Sequence, residues 1–273
     1  MISKSKVLDQ FYTNNETAIL CHSRLKAYLK EINIESSDFV WLEPSAGTGS
    51  FYNLMPDHKI GVDIDPKIEN IIESDFLKFD LPINNYITLG NPPFGKNSSL
   101  AIKFFNKCAI YSEIIAFIVP KTFKKDSLKN KLNQKMHLIK EWDIDDFSFS
   151  LDDKDVNVPC VFQIWKKEDV LREKIKPLKE MPGFMFCDKE IADLAFQRVG
   201  ANAGRIKYKD RFASISPSSH IFIKLTDLND IMILENINWN EIKYNTAGNP
   251  SISKSELIKK FQEEKNKFEK NII

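Results

Sequence analysis

Four short apolar runs, each closed by an acid or an amide, constrain this 273-residue chain more than any other feature of its sequence. Asp38-Phe39-Val40-Trp41-Leu42 runs into Glu43, and Lys59-Ile60-Gly61-Val62 into Asp63. Ile71-Ile72-Glu73-Ser74 runs into Asp75, and Tyr86-Ile87-Thr88-Leu89 into Gly90 and Asn91. Runs of this length and composition read as buried strands. Open α/β sheets bind ligands in the crevice beyond the carboxyl ends of their strands, so polar groups at successive strand ends predict a site along one sheet edge. Any one of these acids is as readily a helix cap. Four such ends in register point to a site.

The segments after the runs carry the chemistry. Glu43-Pro44-Ser45-Ala46-Gly47-Thr48-Gly49-Ser50-Phe51 places two glycines among small residues, which allows close backbone approach to a ligand at a strand-to-helix turn. It lacks the third glycine of the dinucleotide fingerprint, and the acid that opens it suits a ligand bearing positive charge. Asp63 follows Glu43 by twenty positions, the spacing at which α/β nucleotide sites offer a carboxylate to ribose hydroxyls, and Ile64 follows it. Asp75 and Phe76 together can hold an adenine ring, by an amino-group hydrogen bond and by stacking. Gly90 is expected to let the chain turn. Asn91-Pro92-Pro93-Phe94 then offers an amide oxygen, a carbonyl of Pro92 and a flat ring. Two acceptors beside a ring suit a planar substrate with an exocyclic NH₂, although such a string also occurs as a Pro-stiffened turn. Five of the nine glycines (Gly47, Gly49, Gly61, Gly90 and Gly95) fall in this stretch, which marks its tight backbone turns.

As a set, these segments resemble the motifs of S-adenosylmethionine-dependent amino-methyltransferases, and within them the adenine-N6 DNA methyltransferases. Glu43 to Gly49 is similar to that family's cofactor loop, Gly61-Val62-Asp63-Ile64-Asp65-Pro66 to its ribose motif, and Ser74-Asp75-Phe76 to its adenine-side motif. Asn91-Pro92-Pro93-Phe94 is similar to its catalytic motif. Asp9-Gln10-Phe11-Tyr12-Thr13 resembles the N-terminal element that packs on the methionine end of the cofactor. The order of these elements resembles the gamma arrangement, over roughly residues 9–168. The resemblance implies a class I methyltransferase fold, an α/β Rossmann-like seven-stranded mixed sheet closed by a hairpin, with S-adenosylmethionine as cofactor. It implies cofactor contacts from Gln10, Phe11, Tyr12, Thr13, Glu43, Ser45, Ala46, Gly47, Thr48, Gly49, Asp63, Ile64, Asp75, Phe76 and Asn91. Asn91, Pro92, Pro93 and Phe94 would act on the base. The short C-terminal part departs from the gamma pattern, so target recognition is either loose or supplied by a partner chain.

Hydrophobic content of 42% supports one full α/β domain with a smaller appendage. No apolar run approaches the length of a membrane span and no signal-peptide pattern opens the chain, so a cytoplasmic protein with no membrane association is expected. Cys21, Cys108, Cys160 and Cys187 are widely spaced and read as small hydrophobes, and the four scattered histidines predict no metal site. Onward from Phe94, helical spacing predicts a helix from Ser98 to Tyr111 capped by Ser98 or Ser99. Strands are expected at 113–119, 137–144 and 156–165, with a Lys-rich helix between the first two and a polar loop at 150–155 before the third. The catalytic domain is placed at 1–168 and a charged linker at 169–180. A small α+β recognition region follows at 181–273, with an ambiguous segment at 192–199 and a strand at 220–225. Its last helix is predicted to open on a Ser253/Glu256 capping box and to pack Leu257, Ile258, Phe261 and Phe268 on the body of the protein.

A net charge of +1 decides nothing about nucleic acid, so its distribution must. From 121 to 140 there are seven lysines, Lys121, Lys124 and Lys125 among them, against one acid. Arg198, Arg205, Lys207, Lys209 and Arg211 form a second basic stretch with Asp210 alone opposing it. Both are candidates for phosphate contact, and the first is as readily a solvated helix face. The resulting expectation is methylation of adenine N6 in DNA by direct transfer to a base outside the duplex. An RNA amino-methyltransferase acting on adenine N6 or guanine N2 would use the same turn, as would a protein-glutamine methyltransferase. A catalytically silent DNA-binding subunit is the reading from a different class, with intact Asn91 and Phe94 weighing against it.

Overall fold

The computed structural model describes residues 11–146, 148–151, 154–179, 181 and 183–270. Asp9, Gln10, Asp152, Asp153 and Glu180, which entered the expectations above, lie outside the described residues. The chain divides into two compact units, 1–175 and 176–273.

The first unit is built on seven strands: β2 (Val40–Glu43), β3 (Lys59–Asp63), β4 (Ile72–Glu73), β5 (Tyr86–Gly90), β6 (Ser112–Pro120), β7 (Met136–Asp143) and β10 (Cys160–Lys167). Their spatial order is β4-β3-β2-β5-β6-β10-β7. All pairs from β4 to β6 are parallel, and β10 runs antiparallel between β6 and β7. This is the class I methyltransferase fold, a Rossmann-like mixed sheet. The chain steps outward from β2 to β3 and β4, then returns to place β5 on the other side of β2. That reversal opens a crevice between the ends of β2 and β5, where a doubly wound sheet takes its ligand.

Helix α1 (Asn15–Glu31) buries Ala18, Cys21, Leu25, Tyr28 and Leu29, and its His22 meets Trp41 of β2 edge-on at 5.8 Å. Helix α2 (Ser99–Tyr111) buries Phe104, Phe105 and Cys108, with the Phe105 ring edge-on to Trp165 at 5.2 Å. Burial pushes the Cys21 thiol up to about 12, in keeping with an inert core residue.

Several local expectations are corrected. The loop after β2 leads into a single 3₁₀ turn, Tyr52–Leu54, where a helix was expected. Gly90 simply ends β5, and the left-handed backbone falls later, at Gly95, Asn97 and Ser98. Ser98 caps α2 with no side-chain bond, because its hydroxyl bonds Thr122 Oγ1 at 2.8 Å. The Lys-rich stretch forms only a 3₁₀ turn at Lys121–Lys124 and one helical turn, α3 (Asp126–Lys129). The polar loop expected at 150–155 instead contributes to two short paired strands, β8 (Phe149–Leu151) and β9 (Lys154–Val156), and the strand expected from Val156 begins only at Cys160. Strand β8 in turn pairs with β1 (Tyr12–Thr13), so the N-terminal segment is tied into the first unit.

Beyond β10, the chain stays with the first unit through Ile175. The Arg172 guanidinium donates to the carbonyl of Lys129 at 2.7 Å, and Asn130 brackets Ile175 through both amide atoms. The second unit holds an antiparallel sheet of order β11-β14-β12-β13, made of Phe184–Phe186, His220–Leu225, Leu194–Gln197 and Ile206–Tyr208 respectively. The ambiguous 192–199 segment is thus a strand, β12. Helices α4 (Asp230–Asn236), α5 (Asn240–Lys243) and α6 (Lys254–Lys270) complete it. The capping box of α6 is formed: the Ser253 N–H donates to Glu256 Oε2 at 2.9 Å and the Glu256 N–H to Ser253 Oγ at 3.2 Å. Leu257, Ile258 and Phe261 enter this unit's own core, whereas Phe268 is 51% exposed. Among the described residues no helix is long and apolar enough to cross a membrane.

Candidate active site

A cleft of about 290 Å³ opens where the strand order reverses. Its walls come from Glu43 at the end of β2 and the loop that follows, from Asp63 at the end of β3 and Ile64 beyond it, from Asp75 and Leu77 after β4, and from the turn after β5. Phe11, Tyr12 and Thr13 close one side. The structure therefore brings together Phe11, Tyr12, Thr13, Glu43, Ser45, Ala46, Gly47, Thr48, Asp63, Ile64, Asp75, Asn91, Pro92, Pro93 and Phe94 of the residues singled out from sequence. Gly49 lies just behind the wall. Its backbone is left-handed (φ +81°), and an added Cβ would come within 2.2 Å of Ile68. Phe76 does not line the cleft. It is buried against Phe104 at 5.2 Å, and Leu77 and Phe104 hold the wall in its place. Residues 75–78 form a turn after β4, in which Asp75 and Leu77 line the cleft while Phe76 packs into the core.

Gly47 shows how closely the loop after β2 approaches its neighbours. Its φ is +48°, and a Cβ there would meet the Tyr12 ring at 3.1 Å. Its N–H donates to Asp63 Oδ2 at 2.7 Å, while the Asp65 N–H donates to Asp63 Oδ1 at 2.8 Å. Asp63 thus shapes the loop, and each of its oxygens keeps a second lone pair. Asp75 accepts from the Leu77 N–H at 3.0 Å.

Two cleft oxygens have no hydrogen-bond partner among the described residues: Glu43 Oε2 and Asn91 Oδ1. Glu43 is 2% exposed. Burial holds its carboxyl well above the usual carboxylate range, against a hydrogen bond from the Tyr52 amide; the neighbouring Asp63 charge adds to the rise and Lys59 opposes it. Asn91 donates its side-chain nitrogen to the Phe11 carbonyl at 3.0 Å and to Thr13 Oγ1 at 3.1 Å. Its main-chain carbonyl accepts Ser45 Oγ at 3.1 Å, a bond that crosses the switch point between β2 and β5. Phe94 is 7% exposed and stacks on Phe11 with centroids 6.0 Å apart and planes 26° from parallel. Its carbonyl takes the N–H groups of Leu100 and Ala101, which anchors the turn on the start of α2.

The basic residues separate into two kinds. Lys121 and Lys124 both pair with Asp143, and Lys124 also reaches Glu141 at 3.8 Å. The two lysines hold the Asp143 carboxyl below its ordinary range against the opposing effect of burial. The expected balance of seven lysines against Asp126 alone is corrected for Lys121 and Lys124, since Glu141 and Asp143 of β7 lie just beyond the counted span and pair with them. In the second unit, Arg205 and Lys207 have no ion pair among the described residues. Lys209 reaches Asp193 at 3.6 Å, Arg211 reaches Asp210 at 3.3 Å, and Arg198 Nε is buried without a hydrogen-bond partner among the described residues.

No protein-family model matches the sequence, and no curated protein matches it. Solved structures of similar fold include a protein from Pyrococcus horikoshii described as a candidate RNA methyltransferase (PH1948), 19% identical, with TM-score 0.45, covering 59% of this chain and 87% of that one. The 23S rRNA methyltransferase ErmE is 14% identical with TM-score 0.40, over 60% of this chain and 72% of its own. Thermoplasma acidophilum 1320 is 16% identical with TM-score 0.42, over 62% of this chain and 100% of its own. At this degree of likeness a substrate does not transfer from one protein to another.

Proposed function

We propose that this protein is an S-adenosylmethionine-dependent amino-methyltransferase acting on the exocyclic amine of a nucleic-acid base, adenine N6 foremost. The observation that carries the reading is Asn91 Oδ1, an acceptor buried in the cleft wall with no donor among the described residues. Leaving such a group unsatisfied costs about 1–3 kcal/mol, which a substrate N–H relieves. The lone pair of a base amine is delocalised into its ring. Hydrogen bonds from the amine to Asn91 Oδ1 and to the Pro92 carbonyl localise that pair and fix its direction. Phe94 supplies a stacking face, worth about 1–3 kcal/mol per base. The base must be single-stranded or turned out of a duplex to reach it.

The cleft suits the cofactor on its own terms. Glu43 sets an unpartnered carboxyl oxygen in a buried wall, which a cationic ligand would compensate. Asp63, Asp75 and the close-lying backbone of Ser45 to Gly49 would hold its nucleoside end, with Tyr12 and Ile64 beside them. The cofactor, when bound, supplies an electrophilic methyl group on a sulfonium centre. The amine proton becomes acidic once the new bond forms, so Asn91 serves as an acceptor and no strong base is required.

The two acceptors read an amine and not a sugar, so the reading spans RNA and DNA alike. Arg205, Lys207, Lys209, Arg211 and Arg198 would supply phosphate contacts from the second unit. The test is labelling. The protein is incubated with a methyl-labelled donor and separate pools of total RNA, single-stranded DNA, duplex DNA and protein, and the modified nucleoside is identified. N6-methyladenine in a nucleic-acid pool is the expected product. Label confined to protein glutamine would replace this reading, and no label in any pool would remove it.

A further inference from the structure

Asn91 is useful as an acceptor only if its amide presents oxygen to the cleft, and the groups that decide this lie about eighty residues earlier in the chain. The Phe11 carbonyl can only accept, so the amide nitrogen must face it, at 3.0 Å. Thr13 Oγ1 takes the second amide proton at 3.1 Å. A flipped amide would set Oδ1 against the Phe11 carbonyl oxygen and turn the nitrogen toward the cleft; the Thr13 hydroxyl, which can donate or accept, adds a second bond to the orientation that Phe11 selects. Thr13 is itself held firmly. It is buried, its carbonyl accepts Ser50 Oγ at 2.8 Å, and it pairs with Phe149 across the β1–β8 ladder. Asn14 extends that ladder, donating to the Ser148 carbonyl at 3.0 Å. Hydrogen bonds thus close a ring from the cofactor loop (Ser45, Ser50) through Thr13 to Asn91 and back.

We infer that Thr13 is a positioning residue for the amine acceptor: its hydroxyl, with the Phe11 carbonyl, locks the Asn91 amide with Oδ1 toward the cleft. The inference rests on the role proposed for Asn91 above. Both locking groups belong to the protein, so the acceptor is oriented before any ligand arrives. The 11–13 segment therefore serves the amine side of the cleft as well as the cofactor side that family resemblance implies for it. The stacking of Phe11 on Phe94 places a second residue of this segment on the same side.

The test compares Thr13→Val, Thr13→Ser and Asn91→Ala in the full chain, using S-adenosylmethionine with adenine-containing single-stranded RNA and DNA oligonucleotides. Valine keeps the volume and removes the acceptor, whereas serine keeps the acceptor. Thr13→Val is expected to lower kcat about tenfold, the scale of one missing hydrogen bond, with KM for the methyl donor changed by less than about twofold. Thr13→Ser is expected to restore turnover. The side-chain NH₂ resonances of Asn91 give an independent readout, with one proton losing exchange protection in Thr13→Val alone. A Thr13→Val protein with wild-type kcat, or a Thr13→Ser protein as slow as Thr13→Val, overturns the positioning role. If Asn91→Ala is inactive while Thr13→Val is unaffected, only this inference falls. If Asn91→Ala itself turns over normally, the amino-methyltransferase reading falls with it.

Discussion

Glu43 and Asn91 each keep one buried oxygen without a donor among the described residues, and each makes a prediction that separates binding from chemistry. Asn91→Ala should lower methyl transfer at least about a hundredfold, the scale of removing a transition-state hydrogen bond, while calorimetric affinity for the cofactor stays nearly intact. Glu43 predicts a pH dependence in the cofactor-free protein. Because burial raises its folded-state pKa above the ordinary 4.5, the folded form holds the proton that the unfolded chain has already released. Between those two values the folded state binds more protons, so stability falls as pH rises through the window. Glu43→Gln removes that effect. Denaturant midpoints measured from about pH 5 to 8 should decline in the parent and be flatter in the variant. Equal slopes in the two proteins would mean that Glu43 is ionised in the fold.

At the scale of elements, the segment after β10 is held by Arg172. Its guanidinium donates to the carbonyls of Lys129, Leu132 and Met136 and lies 5.9 Å from the centroid of the Trp165 ring. Arg172→Ala should destabilise the first unit by about 1–3 kcal/mol, because it leaves carbonyls unsatisfied, and should expose residues 168–175 to protease. Wild-type stability and protection would show that the segment is held by other contacts. Helix α6 tests capping directly. Ser253→Ala removes one half of the reciprocal pair with Glu256 and should cost about 1 kcal/mol by denaturant unfolding. That box was legible because its two partners lie three residues apart. The strands of the main sheet were legible for a similar reason, each being a local apolar run. The β1–β8 pairing was not, since a two-residue strand has no periodicity to detect and its partner lies far along the chain.

For the whole molecule, charge is settled by spatial neighbours. Lys121 and Lys124 faced one acid along their own segment and are paired with acids of β7, whereas Arg205 and Lys207 have no ion pair among the described residues. The double variant Arg205→Glu/Lys207→Glu should therefore weaken nucleic-acid retention and flatten its salt dependence, by roughly one unit of slope for each phosphate no longer neutralised. Cofactor affinity, measured in parallel, should not change. Unaltered retention would move the phosphate-binding surface elsewhere on the protein.

The sequence by itself determined the strands of the main sheet and the chemistry waiting at their ends: acids closing β2 and β3, another after β4, and an Asn-Pro-Pro-Phe turn after β5. These features are written in contiguous residues, so composition and spacing suffice to read them. Tertiary structure alone decided which of those groups remain available. Phe76 turned into the core, Lys121 and Lys124 found acids, and Asn91 was aimed by residues about eighty positions away. Hydrogen-bond satisfaction and charge compensation depend on what lies within a few ångströms in space, and the chain reveals that only once it has folded.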